Sequence, residues 1–159
     1  MGLECSFWQI TVSQLEELMD SDEAVESLIC GEDDAIKAKS LYLDKAWHIL
    51  HFCMTGETEG EVLPLSYAIV TGFPIAENYL DGAVYLLPDD VSDVAGALSK
   101  LSEKAIVRRF KEEARGDKDI YRNKWPEDDL EEFMGYFHQL KEFYREAAEK
   151  GYAVLRHIG

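Results

Sequence analysis

Two histidines, His48 and His51, stand three residues apart, with Asp44 and Thr55 close by in the chain. On a helix this spacing puts both imidazoles on one face. Imidazoles so placed can ligate a metal, and a carboxylate can orient or complete the set. The supporting signatures are missing, however: there is no HExxH, no CxxC and no Glu-x-x-His. The plainer expectation is that His51 is partly buried and bonded to backbone while His48 is exposed, and no metal or other cofactor is expected. Cys53 lies near this pair and is a candidate nucleophile, but free cysteines commonly pack as small hydrophobes. Ser6 and Ser66 lack a nucleophile-elbow context, and Gly31, Gly56 and Gly60 form no phosphate-binding pattern. Carboxylates are so abundant that no pair stands out for hydrolysis.

A second constellation is electrostatic. Between Lys104 and Lys124 there are eight basic residues against four acids, a net charge of +4, which leaves −20 for the rest of a chain of formal charge −16. Lys104, Arg108, Lys111 and Arg115 follow at i, i+4, i+7 and i+11, the spacing of one helical stripe. This stripe is a candidate docking strip for an anionic ligand or for an acidic surface of another copy; the alternative is a solvated face that pairs with surrounding acids. Tyr121 and Trp125 follow it and, with Tyr79 and Tyr85, are candidates to line a cleft. The candidate ligand-binding residues are therefore Asp44, Trp47, His48, His51, Tyr121 and Trp125.

These residues must be positioned by a chain of 159 residues, long enough for one domain with a sizeable core. Residues 3–10 read as a strand. Thr11 with Gln14, or Ser13 with Glu16, then fits a capping box. A second short helix starts near Asp22 and ends near Gly31, followed by a polar connection over 32–39. Asp44 is placed to cap a helix carrying Trp47, Leu50 and Met54, with Gly56 at its end. Pro64 suits a first helical turn, and the short helix 65–70 stops at Gly72 and Pro74. Residues 83–87 read as a strand entered through Asp81 and Gly82. Pro88 opens a helix with Asp89 and Asp90 in its first turn. Ser102 caps a further helix to Arg115. The longest helix spans about 127–150 and carries Leu130, Phe133, Met134, Phe137, Leu140, Tyr144 and Ala147 as an apolar stripe. Gly151 ends it, and 152–158 reads as a final strand. The fold class expected is α/β, a small mixed sheet layered with helices in a helix-rich three-layer sandwich, forming a single domain over 1–159.

The chain resembles the YfbM-like family, catalogued as domain of unknown function 1877. The resemblance rests on Asp44-Lys45-Ala46-Trp47 with Leu50-His51-Phe52 and Thr55-Gly56; on Pro64-Leu65-Ser66 with Ala68, Val70 and Gly72; and on Tyr85-Leu86 leading into Pro88-Asp89-Asp90-Val91. It continues in Leu140, Phe143-Tyr144, Ala147-Ala148, Gly151 and Ala153-Val154-Leu155. It implies a small three-layer α/β domain of bacterial type and carries over no catalytic residue.

Charge bounds the function. The strong negative field disfavours nucleic acid and anionic membranes and attracts basic proteins and cations. No apolar run approaches the roughly 20 residues of a membrane-spanning helix. Three cysteines, Cys5, Cys30 and Cys53, make no disulfide framework. The absence of an export signal indicates a cytoplasmic protein. The expectation is a non-enzymatic interaction domain with a basic protein partner, one version being an acidic immunity-type protein. The alternatives are a small-ligand protein or enzyme with a pocket near Asp44, His48 and His51, and a homodimer.

Overall fold

The computed structural model describes residues 2–31, 38–75 and 82–159. Polar capping starts the first two helices. Strand β1, Cys5–Ile10, leads into α1, Val12–Met19. Thr11 Oγ1 accepts from the Gln14 N–H at 3.1 Å, and Gln14 Oε1 accepts from the Thr11 N–H at 2.9 Å, so the first of the two expected capping boxes forms. Ser21 Oγ accepts from the Ala24 N–H to start α2, Asp22–Cys30, which ends on Gly31 in the left-handed conformation.

Strand β2, Ser40–Asp44, follows, and Asp44 turns the chain at φ 51° instead of capping a helix. Helix α3, Trp47–Thr55, starts without a side-chain cap and ends on Gly56 at φ 80°. Asp44 is therefore the end of a strand. The sequence shows this poorly, because only Leu41 and Leu43 alternate inward over so short a stretch. A 3-10 turn, Leu65–Ala68, and a two-residue strand β3, Phe73–Pro74, precede β4, Ala83–Leu86. Helices α4, Pro88–Ser99, and α5, Glu103–Arg109, come next, and α5 continues as a π turn over Phe110–Ala114. A 3-10 turn, Glu127–Asp129, opens α6, Leu130–Lys150, and β5, Ala153–Ile158, closes the chain.

The strands order β2-β1-β5-β4-β3 and every pairing is antiparallel. The helix-rich α/β class stands. The mixed pairing expected within it resolves as a wholly antiparallel sheet, because β1 and β5, from opposite ends of the chain, run against each other at its centre, from Cys5 opposite Ile158 to Ile10 opposite Ala153. Gly82 admits β4 to this centre: at φ 90° its α-carbon lies so close to the Ile158 carbonyl that a Cβ would sit 2.2 Å from that oxygen.

Alternation along the strands feeds two cores. One face, with Ile10, Ala83, Ala153 and Leu155, packs on Leu15 and Leu18 of α1 and Val25 and Leu28 of α2. The other face, with Phe7, Leu41, Leu43, Leu86 and Val154, packs on α3, α4 and α6 in a larger core. The two helical layers around one sheet make the three-layer arrangement. In the larger core Phe133 stacks on Phe110 at 4.4 Å, with Trp125 edge-on to both. Arg156 lies in this core at 2% exposure, and its Nη1 donates to the carbonyls of Tyr67 and Thr71 at 3.2 Å each. The Tyr144 hydroxyl donates to the Ala68 carbonyl at 2.7 Å, so two buried donors hold one irregular segment against the sheet.

Phe133→Ala should remove the stack and leave a cavity. Urea unfolding is expected to show a loss of about 3–5 kcal/mol.

Candidate functional site

Helix α3 is buried on nearly every side: Trp47, Ile49, Leu50, His51, Cys53 and Met54 are all enclosed. A polar group on such a helix needs an internal partner. His48 and His51 lie one turn apart with ring centroids 6.5 Å from each other. The Nε2 atoms lie 2.9 Å from the Thr58 carbonyl and 2.7 Å from the Glu59 carbonyl, respectively. A carbonyl oxygen only accepts, so each ring carries its proton on Nε2. His48 Nδ1 in turn accepts from the Tyr121 backbone N–H at 2.8 Å, which uses both of its nitrogens. His51 is fully buried and its Nδ1 has no partner among the described residues.

Burial pushes the His51 pKa below the ordinary histidine value. The Glu59 carbonyl opposes this, and the neighbouring His48 and Arg156 add to it. Both histidines thus bond to backbone, and His48 is half-buried where exposure was expected. The structural reason is the loop after Gly56, which folds back onto α3. Its carbonyls reach the two rings, while Glu57, Glu59 and Glu61 stay exposed around a hollow of about 390 Å³. Thr55 ties the loop down further: its hydroxyl donates to the His51 carbonyl at 2.9 Å and accepts from the Glu57 N–H at 3.2 Å. Among the described residues, no three His, Cys, Asp or Glu side chains stand together in a way that could hold a metal ion.

Trp47 extends the row of rings. It stacks on His48 at 5.0 Å and on Tyr121 at 5.7 Å. Its indole N–H donates to the Leu3 carbonyl at 3.0 Å, and the Tyr121 hydroxyl accepts from the Leu3 N–H at 2.8 Å. Four of the six candidate ligand-binding residues, Trp47, His48, His51 and Tyr121, therefore meet in one ladder. Asp44 does not join it; its electrostatic neighbours are Tyr42 and Tyr136. Trp125 is separate too, packed on Phe110 and Phe133, with its indole N–H on the Arg122 carbonyl at 2.9 Å. It shares a surface hollow of about 530 Å³ with Arg115, Asn123 and Lys124. Tyr85 packs its ring against Phe73, tilted at 40°, at the β3 edge of the sheet, and Tyr79 lies outside the described residues. Cys53 is buried beside the ladder, and burial pushes its thiol up to about 12, which withholds the thiolate a nucleophile needs.

The basic stripe is interrupted. Lys104 and Arg108 sit on α5, but the π turn that follows adds residues to one turn of backbone and rotates Lys111 and Arg115 away from their α-helical positions. Arg108 lies 3.7 Å from Glu112 and 3.8 Å from Glu113. Arg115 reaches the carbonyls of Trp125 and Lys111 at 3.4 Å and lies 3.7 Å from Glu127.

Three residues that work inside this structure were not singled out from sequence. Arg109 Nη1 donates to the carbonyls of Cys53 and Met54 at 3.0 and 3.3 Å, placing a cation on the C-terminal end of α3, where the helix dipole favours it. Arg156 is the second, and a charged residue at an inward position of an apolar strand was its available signal. Gln9, 2% exposed, is the third: its side-chain amide donates to the Phe143 carbonyl at 3.2 Å.

A family model, "Domain of unknown function (DUF1877)", matches residues 1–157. The chain belongs to the DUF1877 family. Among solved structures, YfbM from Escherichia coli, itself described as a protein of unknown function, is similar to this DUF1877 chain. Its TM-score is 0.69 at 19% identity, covering 98% of this chain and 99% of that one. At that identity the likeness concerns the fold. No curated protein matches. No helix among the described residues of this DUF1877 chain is long and apolar enough to cross a membrane.

The stability of the domain should depend on pH through His51. Its native pKa lies below the ordinary 6.5, so the unfolded chain takes up the proton first. The neutral ring's contribution is complete above pH 6.5 and is lost as the pH falls through the interval down to the native value. Unfolding free energy measured in urea at pH 7, 6 and 5 should therefore decline. In His51→Gln, which keeps a donor for the Glu59 carbonyl, the decline should be shallower.

Proposed function

We propose that this DUF1877 domain is a non-enzymatic, cytoplasmic binding module for a basic protein. The supporting observation is the outer surface of the α1–α2 layer. Glu16, Glu17, Glu23 and Glu26 are exposed there with Asp20, Asp22 lies partly exposed beside them, and no Lys or Arg occurs anywhere from Met1 to Gly31. None of these acids takes part in an ion pair among the described residues. An unneutralised face of one sign on a chain of charge −16 accelerates association with a positive surface and selects for it. The groups that looked chemical are occupied elsewhere, since the imidazole protons of His48 and His51 hold the loop after Gly56 and Cys53 stays a thiol. One concrete form of the reading is an immunity-type protein that neutralises a basic toxin by charge complementarity.

The pocket reading, a small-ligand protein or enzyme near Asp44, His48 and His51, has one observation in its favour: the Nδ1 of His51 has no partner among the described residues. Thermal-shift screening separates the two. A metabolite that raises the melting temperature in the native protein and not in His51→Gln favours the pocket.

The binding reading is checked by capture from native lysate at low salt. A basic protein should be retained by the native domain, released as ionic strength rises, and lost when Glu16, Glu17, Glu23 and Glu26 are replaced by Gln. Capture that is indifferent to salt and to these four changes refutes it.

A further inference from the structure

The sheet has two edges, and they are unequal. Strand β3 is two residues long and contains Pro74, both of which discourage addition of another strand. Strand β2 is five residues long, has no proline, and among the described residues has a strand neighbour, β1, on one side only. Its pairing with β1 defines which backbone groups are free. The Gln9 N–H bonds to the Lys39 carbonyl at 2.9 Å, and Phe7 lies opposite Leu41. In an antiparallel ladder, hydrogen-bonded and non-bonded pairs alternate. Lys39 and Leu41 therefore turn their backbone groups toward β1, and Ser40 and Tyr42 turn theirs outward. No described residue bonds to those outward groups, and both residues are exposed.

The two sides of this edge differ in chemistry. On the side of the larger core, Leu41 and Phe143 form the floor of a groove of about 390 Å³ between β2 and α6. Several side chains at its rim are engaged: His138 meets Glu103 at 2.6 Å, Glu142 meets Arg145 at 2.5 Å, and Lys39 is paired with Glu146. Gln139 and Ser40 stay exposed at the rim, above an apolar floor. On the opposite side, Tyr42 has the carboxylates of Glu4 and Asp44 as neighbours. Its hydroxyl bonds to Glu4, and that bond, followed by burial and by Asp44 and Glu4 as charges, holds its pKa at about 12. The acid-only α1–α2 layer covers this same side of the sheet.

We propose that β2 accepts an extended segment of a basic partner protein as an added antiparallel or parallel strand. Because side chains of a strand alternate between faces, the segment that fits has apolar residues over Leu41 and Phe143 and Lys or Arg residues on the other face. The inference rests on the binding-module reading and names the surface through which it acts.

The probe is a capped seven-residue peptide of alternating Lys and Val, with three controls: alternating Glu and Val, a central proline, and N-methylation of alternate backbone nitrogens. Saturable binding of the Lys–Val peptide is expected, weakened about tenfold or more by each change. Hydrogen exchange on the native protein should show the Ser40 and Tyr42 amides becoming protected as the peptide saturates, while the Leu41 amide is protected throughout. Tyr42→Pro removes an outward N–H without touching the bonds to β1 and should weaken binding to a similar degree. If that variant does not fold, the N-methylated peptide and the exchange data decide the matter unaided. Absence of saturable binding, equal binding of the N-methylated peptide, or binding that leaves Ser40 and Tyr42 unprotected each overturns the proposal. If a basic partner is captured through the α1–α2 carboxylates with β2 unprotected, the binding-module reading stands and only this surface falls.

Discussion

A helix enclosed on nearly every side, α3, constrains the rest of this domain. Its apolar residues supply much of the larger core, yet it also carries two imidazoles and a C-terminal end whose carbonyls lack helical partners. Each of these polar groups costs free energy unless it is bonded. The surrounding chain is arranged to supply those bonds. The acidic loop offers two carbonyls to the histidines, Tyr121 gives its backbone N–H to His48, and Arg109 caps the last carbonyls. Trp47 and Tyr121 then grip Leu3 and draw the residues before β1 onto the same assembly. Elements distant in sequence are thereby held in register by a few directed bonds within a largely undirected hydrophobic contact.

Arg156 repeats the same logic across the core. Its guanidinium has no ion pair among the described residues, and burial lowers its affinity for the proton, opposed by Cys5 and Tyr144. Bonds to the Tyr67 and Thr71 carbonyls compensate in part, and the Tyr144 hydroxyl secures the residue between them. The 3-10 turn and the residues after it thus pack against the sheet without leaving these carbonyls unbonded.

Charge and architecture divide the surface. The α1–α2 layer carries acids alone, and the basic residues concentrate around α5 and the π turn, beyond the opposite face of the sheet. Many of those bases are engaged locally, Arg108 with two glutamates and Arg109 and Arg115 with carbonyls. Among the described residues, no acid of the α1–α2 layer is ion-paired. That asymmetry and the edge position of β2 are the two surface features on which the proposed recognition of another chain rests.

Local chemistry made most elements readable. Thr11 with Gln14, Gly31, Pro88, Ser102 and Gly151 mark helix ends through bonds or dihedral angles that involve only neighbouring residues, and the stripe of α6 declares its buried face. Strands β2 and β3 escaped because two to five residues give too little alternation to distinguish from a loop, and Asp44 looked like a helix cap because side chain and spacing alone do not reveal a positive φ. The sequence brought Trp47, His48, His51 and Tyr121 forward as a group, but it could not show that the imidazoles face backbone carbonyls, that Trp125 belongs to another cluster, or that the basic stripe breaks at a π turn. By itself the sequence determined composition, charge and the local start and stop of helices, which depend on contacts a few residues apart. Which polar groups are consumed within the fold and which remain for a partner was decided by tertiary structure, because that depends on what residues tens of positions away bring against each donor and acceptor.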